Sequence, residues 1–440
     1  MKHFIIPIFI IAVAGEVFAQ EHHPSAAITN VFQITPAFVN QLADEARTNN
    51  PGLRAAGARV NAAQEGEKAV RTWEDPMARF GVMAANEAMR ADDGDLLYGV
   101  EQRLPLFGKA KAARTVAKAE TAVEQADSEN RFQQLRKEIA QGVFRAGLAD
   151  RQVELGKQDV GWLETMLAVA EQRYEIGEAS QTDILRLQNE RAKRLNDIKT
   201  DERNAEHERV NINKLMGRDL HVAWPLLQLP AIAGPVVYNP RLVKLAVQND
   251  PKLKVLAQEV KRAEAMTGQA RRQRYPDFNA GVEARNYSGS GEFRQSMFTL
   301  SFSIPWGNRK KYDADIKREE FKTKAAGFEA VDYERIVRDE VFHLTIQIDA
   351  ARREALLYRD EIIPRTEGSL ETARIAWESN RGTFRDLIDT RRMLLDAQLM
   401  YARAVAEQYG MMSELILCCG LGDFESLQMI GAGPEVEPKK

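Results

Sequence analysis

The chain has 440 residues, and its 61 basic and 64 acidic side chains give a formal net charge of −3 at pH 7. This balanced charge lacks the basic excess of nucleic-acid-binding proteins, so no nucleic-acid partner is expected. Beyond the N-terminus no apolar run reaches about eighteen residues, which excludes a helical inner-membrane protein.

The first nineteen residues are typical of a secretory signal peptide. Lys2 and His3 precede the apolar run Phe4–Ala14, and Val17 and Ala19 supply the small residues of a cleavage site. An N-terminal membrane anchor is the alternative, but this run is shorter than the roughly 20 residues that a spanning helix needs. We therefore predict that residues 1–19 are cleaved off during export.

The remaining sequence contains one unit twice. Three prolines recur at a spacing of 200 residues, as the pairs Pro51 and Pro251, Pro76 and Pro276, and Pro105 and Pro305. A later turn motif recurs at a spacing of 203, as Tyr174, Gly177, Ser180 and Asp183 in the first copy and Trp377, Asn380, Thr383 and Asp386 in the second. Chance rarely preserves several such markers in one order, so we predict an internal duplication.

The duplication divides the chain into a first repeat (20–220), a proline-rich connector (221–240), a second repeat (241–420) and a C-terminal tail (421–440). The connector has prolines at positions 225, 230, 235 and 240, and this density precludes a continuous helix. Each repeat is predicted to contain a helix, then two strands, then a long helical hairpin.

The strands are predicted at about 77–104 in the first repeat and about 278–304 in the second, because apolar and polar residues alternate there. In the last strand, Phe298, Leu300 and Phe302 alternate with Thr299 and Ser301. Each strand has about ten residues, which matches the roughly 9 to 11 of a tilted transmembrane strand.

Long helical hairpins are predicted at about 108–217 and about 308–419. Residues 109–141 contain neither Gly nor Pro and are rich in good helix formers. Gly161 and Pro364 occupy matching positions in the two copies, and both weaken a helix, which predicts a shared bend in the two hairpins.

Four amphipathic strands cannot cross a membrane alone. Every backbone group within lipid must be paired, so strands span it only as a closed barrel, and known barrels begin at eight strands. The pattern therefore predicts an oligomer, with twelve strands if three chains contribute four strands each. A water-soluble four-stranded sheet packed on helices stays open as the alternative.

Other chemistry is not indicated. No phosphate-binding glycine loop, Gly-x-Ser-x-Gly elbow or His-Glu-x-x-His pattern occurs, so no enzymatic activity is predicted. The histidines at positions 3, 22, 23, 207, 221 and 343 lack metal-ligand spacing, and neither a metal site nor a cofactor is predicted. Cys418 and Cys419 are adjacent, which disfavours a disulfide between them, and we expect two buried small apolar residues.

The duplicated order, the junctions from Pro105 to Gly108 and from Pro305 to Gly307, and the two turn motifs resemble the TolC-like outer-membrane efflux family. Residues 358–367 and 386–392 are most similar to its heavy-metal cation-efflux branch. The resemblance implies a mainly α-helical chain with a small transmembrane β part. Three chains would form a homotrimer with a twelve-stranded barrel and a long α-helical periplasmic barrel, located in the outer membrane with a large periplasmic extension.

The resemblance also implies a function. The chain would be a passive channel for heavy-metal cations in a tripartite efflux system. Its partners would be a periplasmic membrane-fusion adaptor and an inner-membrane resistance-nodulation-division pump driven by protons. A drug or other small-molecule channel of the same family, a periplasmic adaptor protein and a soluble coiled-coil protein are the alternatives.

In this family, carboxylates at the hairpin tips ring the periplasmic end of the pore. At the matching positions here, this role falls to Asp386 and Asp389, which share a helical face and would place six carboxylates in a trimer, two per chain. Asp183 is the counterpart in the first copy and would belong to the network that locks the closed state. The alternative is ordinary chemistry of a helix start, where acidic residues offset the helix dipole.

One departure from the family pattern concerns the closed-state latch. The family places an arginine four residues before the position of Asp386, where this chain has Gly382. Arg381 or Arg385 would have to take over that role.

The tips themselves are the predicted adaptor-docking surface. They include Ile176, Gly177 and Ser180 in the first copy and Asn380 and Thr383 in the second. Gly177 and Asn380 both suit a left-handed backbone conformation within a turn.

Overall fold

The computed structural model describes residues 31–83, 95–288, 290–422 and 424–431. The predicted signal peptide, the histidine pair at 22 and 23, and the end of the predicted tail lie outside these ranges. Residues 84–94, within the predicted strand region 77–104, also lie outside them.

Helices dominate the described residues, and the two copies follow the same order. The first copy contains α1 (Pro36–Asn49), α2 (Pro51–Ala69), α3 (Lys109–Glu175) and α4 (Gln181–Met216). The second contains α5 (Pro240–Asn249), α6 (Pro251–Arg272), α7 (Arg309–Leu357), α8 (Ile363–Glu378) and α9 (Phe384–Cys419). A short 3₁₀ turn (Pro305–Asn308) precedes α7, and α10 (Phe424–Gly431) follows α9.

Helix-capping residues explain why the short helices start at matching places. The Asn50 side chain accepts a hydrogen bond from the Leu53 N–H at 3.1 Å, and Asp250 accepts one from Leu253 at 2.8 Å. In each copy a proline follows the cap directly, where its missing N–H costs nothing and its fixed φ favours a helix.

Four strands form one antiparallel sheet in the order β2 (Met77–Met83), β3 (Asp95–Leu104), β5 (Phe278–Tyr287) and β6 (Phe293–Phe302). The central pairing of β3 with β5 joins the two copies. The connector contains β4 (Leu226–Gln228), which pairs in parallel with β1 (Val31–Gln33). The next helix, α5, begins only at the last connector residue, Pro240.

One face of the four-stranded sheet is apolar and exposed. Phe80, Val100, Val282 and Phe298 lie on this face and are 84%, 55%, 59% and 69% exposed. The opposite face carries charged and polar residues, including Glu101, which the sheet buries. The alternation that the sequence predicts is therefore present, with the apolar side uncovered within one chain.

The predicted bend is matched by an irregularity in the second copy alone. The hydrogen-bond ladder of α3 continues through Gly161, which keeps its N–H. In the second copy, residues Tyr358–Ile362 form a π-helical turn between α7 and α8, directly before Pro364. Proline lacks the N–H and its ring crowds the preceding turn, so the helix widens there, whereas glycine does neither.

The largest apolar core lies where helices of both copies meet. It combines residues of α1, α3 and α4 with residues of α5, α7 and α9, such as Ile139, Ile212 and Ile348, which are completely buried. Phe424 and Leu427 of α10 belong to the same core, so this part of the predicted tail packs against the helices. None of the helices in the described ranges is long and apolar enough to cross a membrane.

Candidate functional site

The two hairpin tips have the same backbone geometry. The turn between α3 and α4 passes through Gly177 at φ +79°, and the turn between α8 and α9 passes through Asn380 at φ +58°. After the first, the Glu178 N–H donates to the Arg173 carbonyl at 2.8 Å. After the second, the Arg381 N–H donates to the Ala376 carbonyl at the same distance. Both left-handed residues are those that the sequence predicts.

Each tip ends in a helix cap. The Ser180 hydroxyl accepts a hydrogen bond from the Asp183 N–H at 3.2 Å, and the Thr383 hydroxyl accepts one from the Asp386 N–H at 3.2 Å. Thr383 also donates to a carboxylate oxygen of Asp386 at 2.6 Å. Asp386 therefore stabilises the start of α9, where a negative charge is favoured, while its side chain remains exposed.

The other predicted gate carboxylates have arginine neighbours. Asp389 is exposed and lies 3.5 Å from Arg385 and 3.4 Å from Arg392. Asp183 is largely covered, and its carboxylate lies 4.0 Å from Arg186. Of the two candidate latch residues, Arg385 thus contacts a predicted gate carboxylate, Asp389, within its own helix. Arg381 makes no ion pair with the described part of the chain.

The predicted docking residues form the outer surface of the tips. Ile176 is 70% exposed, a large value for an apolar side chain. Gly177, Ser180 and Thr383 are exposed as well, and the Asn380 amide is turned towards the first tip.

An apolar cluster behind the tips fastens the two hairpins together. Trp377 and Phe384 of the second tip pack at a ring distance of 5.6 Å, and both are buried. Leu163 and Leu187 of the first hairpin complete the contact. The two tips therefore stand side by side as one unit.

Arg173 links the tips and was missed by sequence reasoning. It lies in the last turn of α3 and is buried, and its guanidinium donates to the Trp377 carbonyl at 2.8 Å and to the Asn380 side-chain oxygen. It also stacks over the Trp377 ring at 4.9 Å. The signal in the sequence was an arginine directly before the repeated turn motif, where the second copy has Ala376.

A second missed cluster lies further from the tips. Asp159 of α3 is buried, and its carboxylate accepts hydrogen bonds from Arg194 of α4 at 3.0 Å and Arg391 of α9 at 2.7 Å. Arg391 also lies over the Trp162 ring at 5.0 Å. One carboxylate thereby ties the first hairpin to the second.

Arg392 makes a further link between the hairpins. Its guanidinium donates two hydrogen bonds to Glu190 of α4, at 2.6 and 3.1 Å. These hydrogen bonds hold the pKa of the Glu190 carboxyl below its usual value, because they favour the charged form more than partial burial opposes it.

This pKa shift predicts a dependence of stability on pH. Glu190 titrates near about 4.3 in an unfolded chain and lower in the folded chain. The pair therefore stabilises the fold fully above about pH 4.3, and the contribution is lost as the pH falls through the folded pKa. On acidification through this range, the thermal midpoint should fall further for the wild type than for Glu190→Gln.

A matched control for this experiment is Glu171→Gln, which removes an exposed carboxylate that makes no ion pair with the described residues. That variant should follow the wild-type pH profile. If Glu190→Gln and the wild type gave parallel profiles, the Glu190–Arg392 link would make no pH-dependent contribution.

No group of three or more His, Cys, Asp or Glu side chains that could hold a metal ion occurs within the ranges described above. Cys418 and Cys419 are buried and free. The histidines at 207, 221 and 343 are therefore not assembled into a ligand set.

Comparison with known families identifies the chain. The family described as outer membrane efflux protein matches residues 42–218 and 242–417, one segment in each copy. The chain belongs to the outer membrane efflux protein family. The family, the mainly α-helical fold and the outer-membrane location that the sequence predicts are confirmed.

Relatives of this outer membrane efflux protein agree with that assignment. The cobalt-zinc-cadmium resistance protein CzcC of Cupriavidus metallidurans is 19% identical over 361 residues, covering 82% of this chain and 84% of CzcC. The solved outer-membrane channel OprN has a TM-score of 0.77 at 18% identity, covering 88% of this chain and 91% of OprN. The solved structure of CusC has a TM-score of 0.72 at 16% identity, and the match covers 88% of this chain and 93% of CusC. The structural likenesses show a common fold.

Proposed function

We propose that this protein is the outer-membrane channel of a tripartite efflux system and passively conducts heavy-metal cations. The observation that carries the proposal is the four-stranded sheet, whose outer strands β2 and β6 pair with no further strand among the described residues and lie beside an exposed apolar face. In a membrane such edges must be paired, and further copies of the chain can pair them by closing a barrel. Three copies would give twelve strands.

A stripe on α7 supports assembly into a homotrimer. Phe321, Phe328, Phe342 and Ile346 lie on one helical face and are 66%, 74%, 48% and 50% exposed. Four large apolar side chains in one row are costly in water and are typical of an interface. A neighbouring chain would cover this row and continue the helical layer around a central pore.

The tips support docking to a periplasmic membrane-fusion adaptor and, through it, to an inner-membrane resistance-nodulation-division pump. They lie at the helical ends farthest along the hairpins from the strands, and they present Ile176 with the polar residues of two turns. Only these ends can extend towards the inner membrane if the strands lie in the outer one.

Metal cations are supported as cargo by two independent features. The similarity to a cobalt-zinc-cadmium resistance protein covers most of both chains. Asp386 and Asp389 are exposed at the second tip. Three copies would bring six carboxylates to a constriction, where their field would attract cations. A passive conduit does not need to bind its cargo tightly, because conduction requires release.

Conductance in planar bilayers tests this function. The double variant Asp386→Asn and Asp389→Asn should show a lower preference for cations and weaker block by trivalent cations than the wild type. Removing the negative charge removes the attraction, while the amides keep the shape of the tip.

The matched control is Glu202→Gln with Glu206→Gln, which removes two exposed carboxylates from α4, away from the tips. It should leave selectivity and block unchanged. Unaltered selectivity in the tip variant would remove Asp386 and Asp389 from the gate, and a wild-type channel without cation preference would favour the drug or small-molecule alternative.

A further inference from the structure

Comparison of the two copies shows that the residues of the Arg173 contact occur in one orientation only: the first tip supplies the donor and the second tip supplies the acceptors. The left-handed turn residue is Gly177 in the first copy and Asn380 in the second. Glycine adopts this conformation at the lowest cost, so an asparagine at this position indicates a role for its side chain. The side-chain oxygen of Asn380 accepts the hydrogen bond from Arg173.

The arginine is equally specific to its copy. At the position that matches Arg173 the second copy has Ala376, and a Cβ at the neighbouring Gly382 would come within 2.8 Å of the Ala376 Cβ. Ala376 and Gly382 are therefore closely packed, and the second turn has no arginine at the position that matches Arg173. The first hairpin supplies the guanidinium instead, and the second hairpin supplies its acceptors.

The surroundings of the guanidinium explain why it stays in place. The Trp377 carbonyl lies in the last turn of α8, at the negative end of the helix dipole. The Glu178 carboxylate lies 3.8 Å from the Arg173 guanidinium. Both hydrogen bonds to the second tip come from the two terminal nitrogens of Arg173. Its Nε–H has no acceptor within the described residues. A planar fork of this kind fixes direction as well as distance.

We infer that Arg173 is a positioning residue that holds the two hairpin tips of one chain in a single register, so that a periplasmic adaptor meets them as one composite surface. The consequence for docking rests on the proposed function, whereas the contact itself does not. Without the arginine, the apolar cluster behind the tips still joins the hairpins. The two turns, however, lose the only hydrogen bond described between the first tip and the Asn380 side chain.

A distance measurement between the tips tests this inference on the channel alone. Spin labels are placed at Glu175→Cys and Arg381→Cys, both exposed positions next to the two turns. Burial raises the pKa of the native thiols of Cys418 and Cys419, so the reagent reacts with the introduced cysteines first. Labelled chain is assembled with excess unlabelled chain, so that each distance is measured within one chain.

The decisive variant is Asn380→Gly, which keeps the left-handed turn but removes the acceptor. It should remain folded, because the apolar cluster behind the tips still joins the hairpins, and it should lose the single narrow distance peak between the labels. Arg173→Gln should lose this peak as well. The matched control is Gly177→Asn, which places an asparagine at the equivalent position of the other tip and should keep the narrow peak.

A narrow peak retained in Asn380→Gly would overturn the inference, as would an equal loss of the peak in Gly177→Asn. The measurement needs neither adaptor nor pump, so its outcome is independent of whether the tripartite assembly exists. Loss of adaptor binding in a chain whose peak stays narrow would count against the proposed docking surface and leave the positioning role intact.

Discussion

Replacing Asp159 with Asn should destabilise the fold by about 3 kcal/mol, at the lower end of the range for breaking a buried ion pair. The carboxylate is buried between Arg194 and Arg391, whose side chains are only 20% and 15% exposed. Asparagine keeps the volume and one acceptor oxygen but cannot neutralise either guanidinium. The thermal midpoint of the purified protein in detergent, followed by circular dichroism, measures the loss.

The matched control is Glu164→Gln. Glu164 of α3 also pairs with an arginine of α4, Arg191, at 2.6 Å, but both side chains are about half exposed. An exposed pair contributes about 0.2–1 kcal/mol because water solvates each charge when it stands alone. Equal melting of the Asp159→Asn and Glu164→Gln proteins would mean that the Asp159 network is solvated and holds neither hairpin.

Replacing Gly217 with Ala should be the most damaging of the glycine substitutions considered. Gly217 ends α4 at φ +71°, a conformation that costs an ordinary residue about 1–2 kcal/mol. A Cβ there would also lie 2.6 Å from the Asn49 carbonyl oxygen, which belongs to the backbone at the end of α1 and cannot rotate away. The helix end would have to separate from that turn, and the thermal midpoint should fall accordingly.

Two further glycines calibrate this prediction. Gly420 is the counterpart in the second copy, at φ +62°. A Cβ there would lie 2.7 Å from the Asn249 Cβ and 3.2 Å from the Asn249 carbonyl oxygen, whereas a Cβ at Gly217 would meet three backbone atoms of Asn49 and Asn50 within 3.0 Å. Gly420→Ala should therefore cost less than Gly217→Ala. Gly66 lies inside α2 with open space around it, and Gly66→Ala should stabilise by about 0.5–1 kcal/mol.

A Gly217→Ala protein that melts at or above the temperature of Gly66→Ala would contradict this account. It would mean that the junction between the end of α4 and the turn at Asn49 yields without cost. The comparison with Gly420→Ala separates the backbone collision from the left-handed strain, which both positions share.

The sequence by itself determined the features that depend on local pattern. The recurrence of Pro51, Pro76 and Pro105 located the two copies, because proline occupies helix starts and strand junctions for local reasons. Alternation showed which strand residues share a face, and the repeated turn motifs located the two tips, where the structure has Ser180 and Thr383 as the caps of the returning helices. The candidate gate and docking residues came from the resemblance to the efflux family at these motifs, and their roles stay predictions.

Only the tertiary structure decided which charges meet. Asp159, Arg173 and Arg391 look like any other charged residues in a chain where 28% of residues are charged. A helical period shows which side chains share a face, but it does not identify the neighbouring helix or the level at which two helices cross. Arg173 reaches Asn380 across 207 positions, and Asp159 reaches Arg391 across 232. These contacts depend on how two long hairpins pack side by side, which no local pattern encodes.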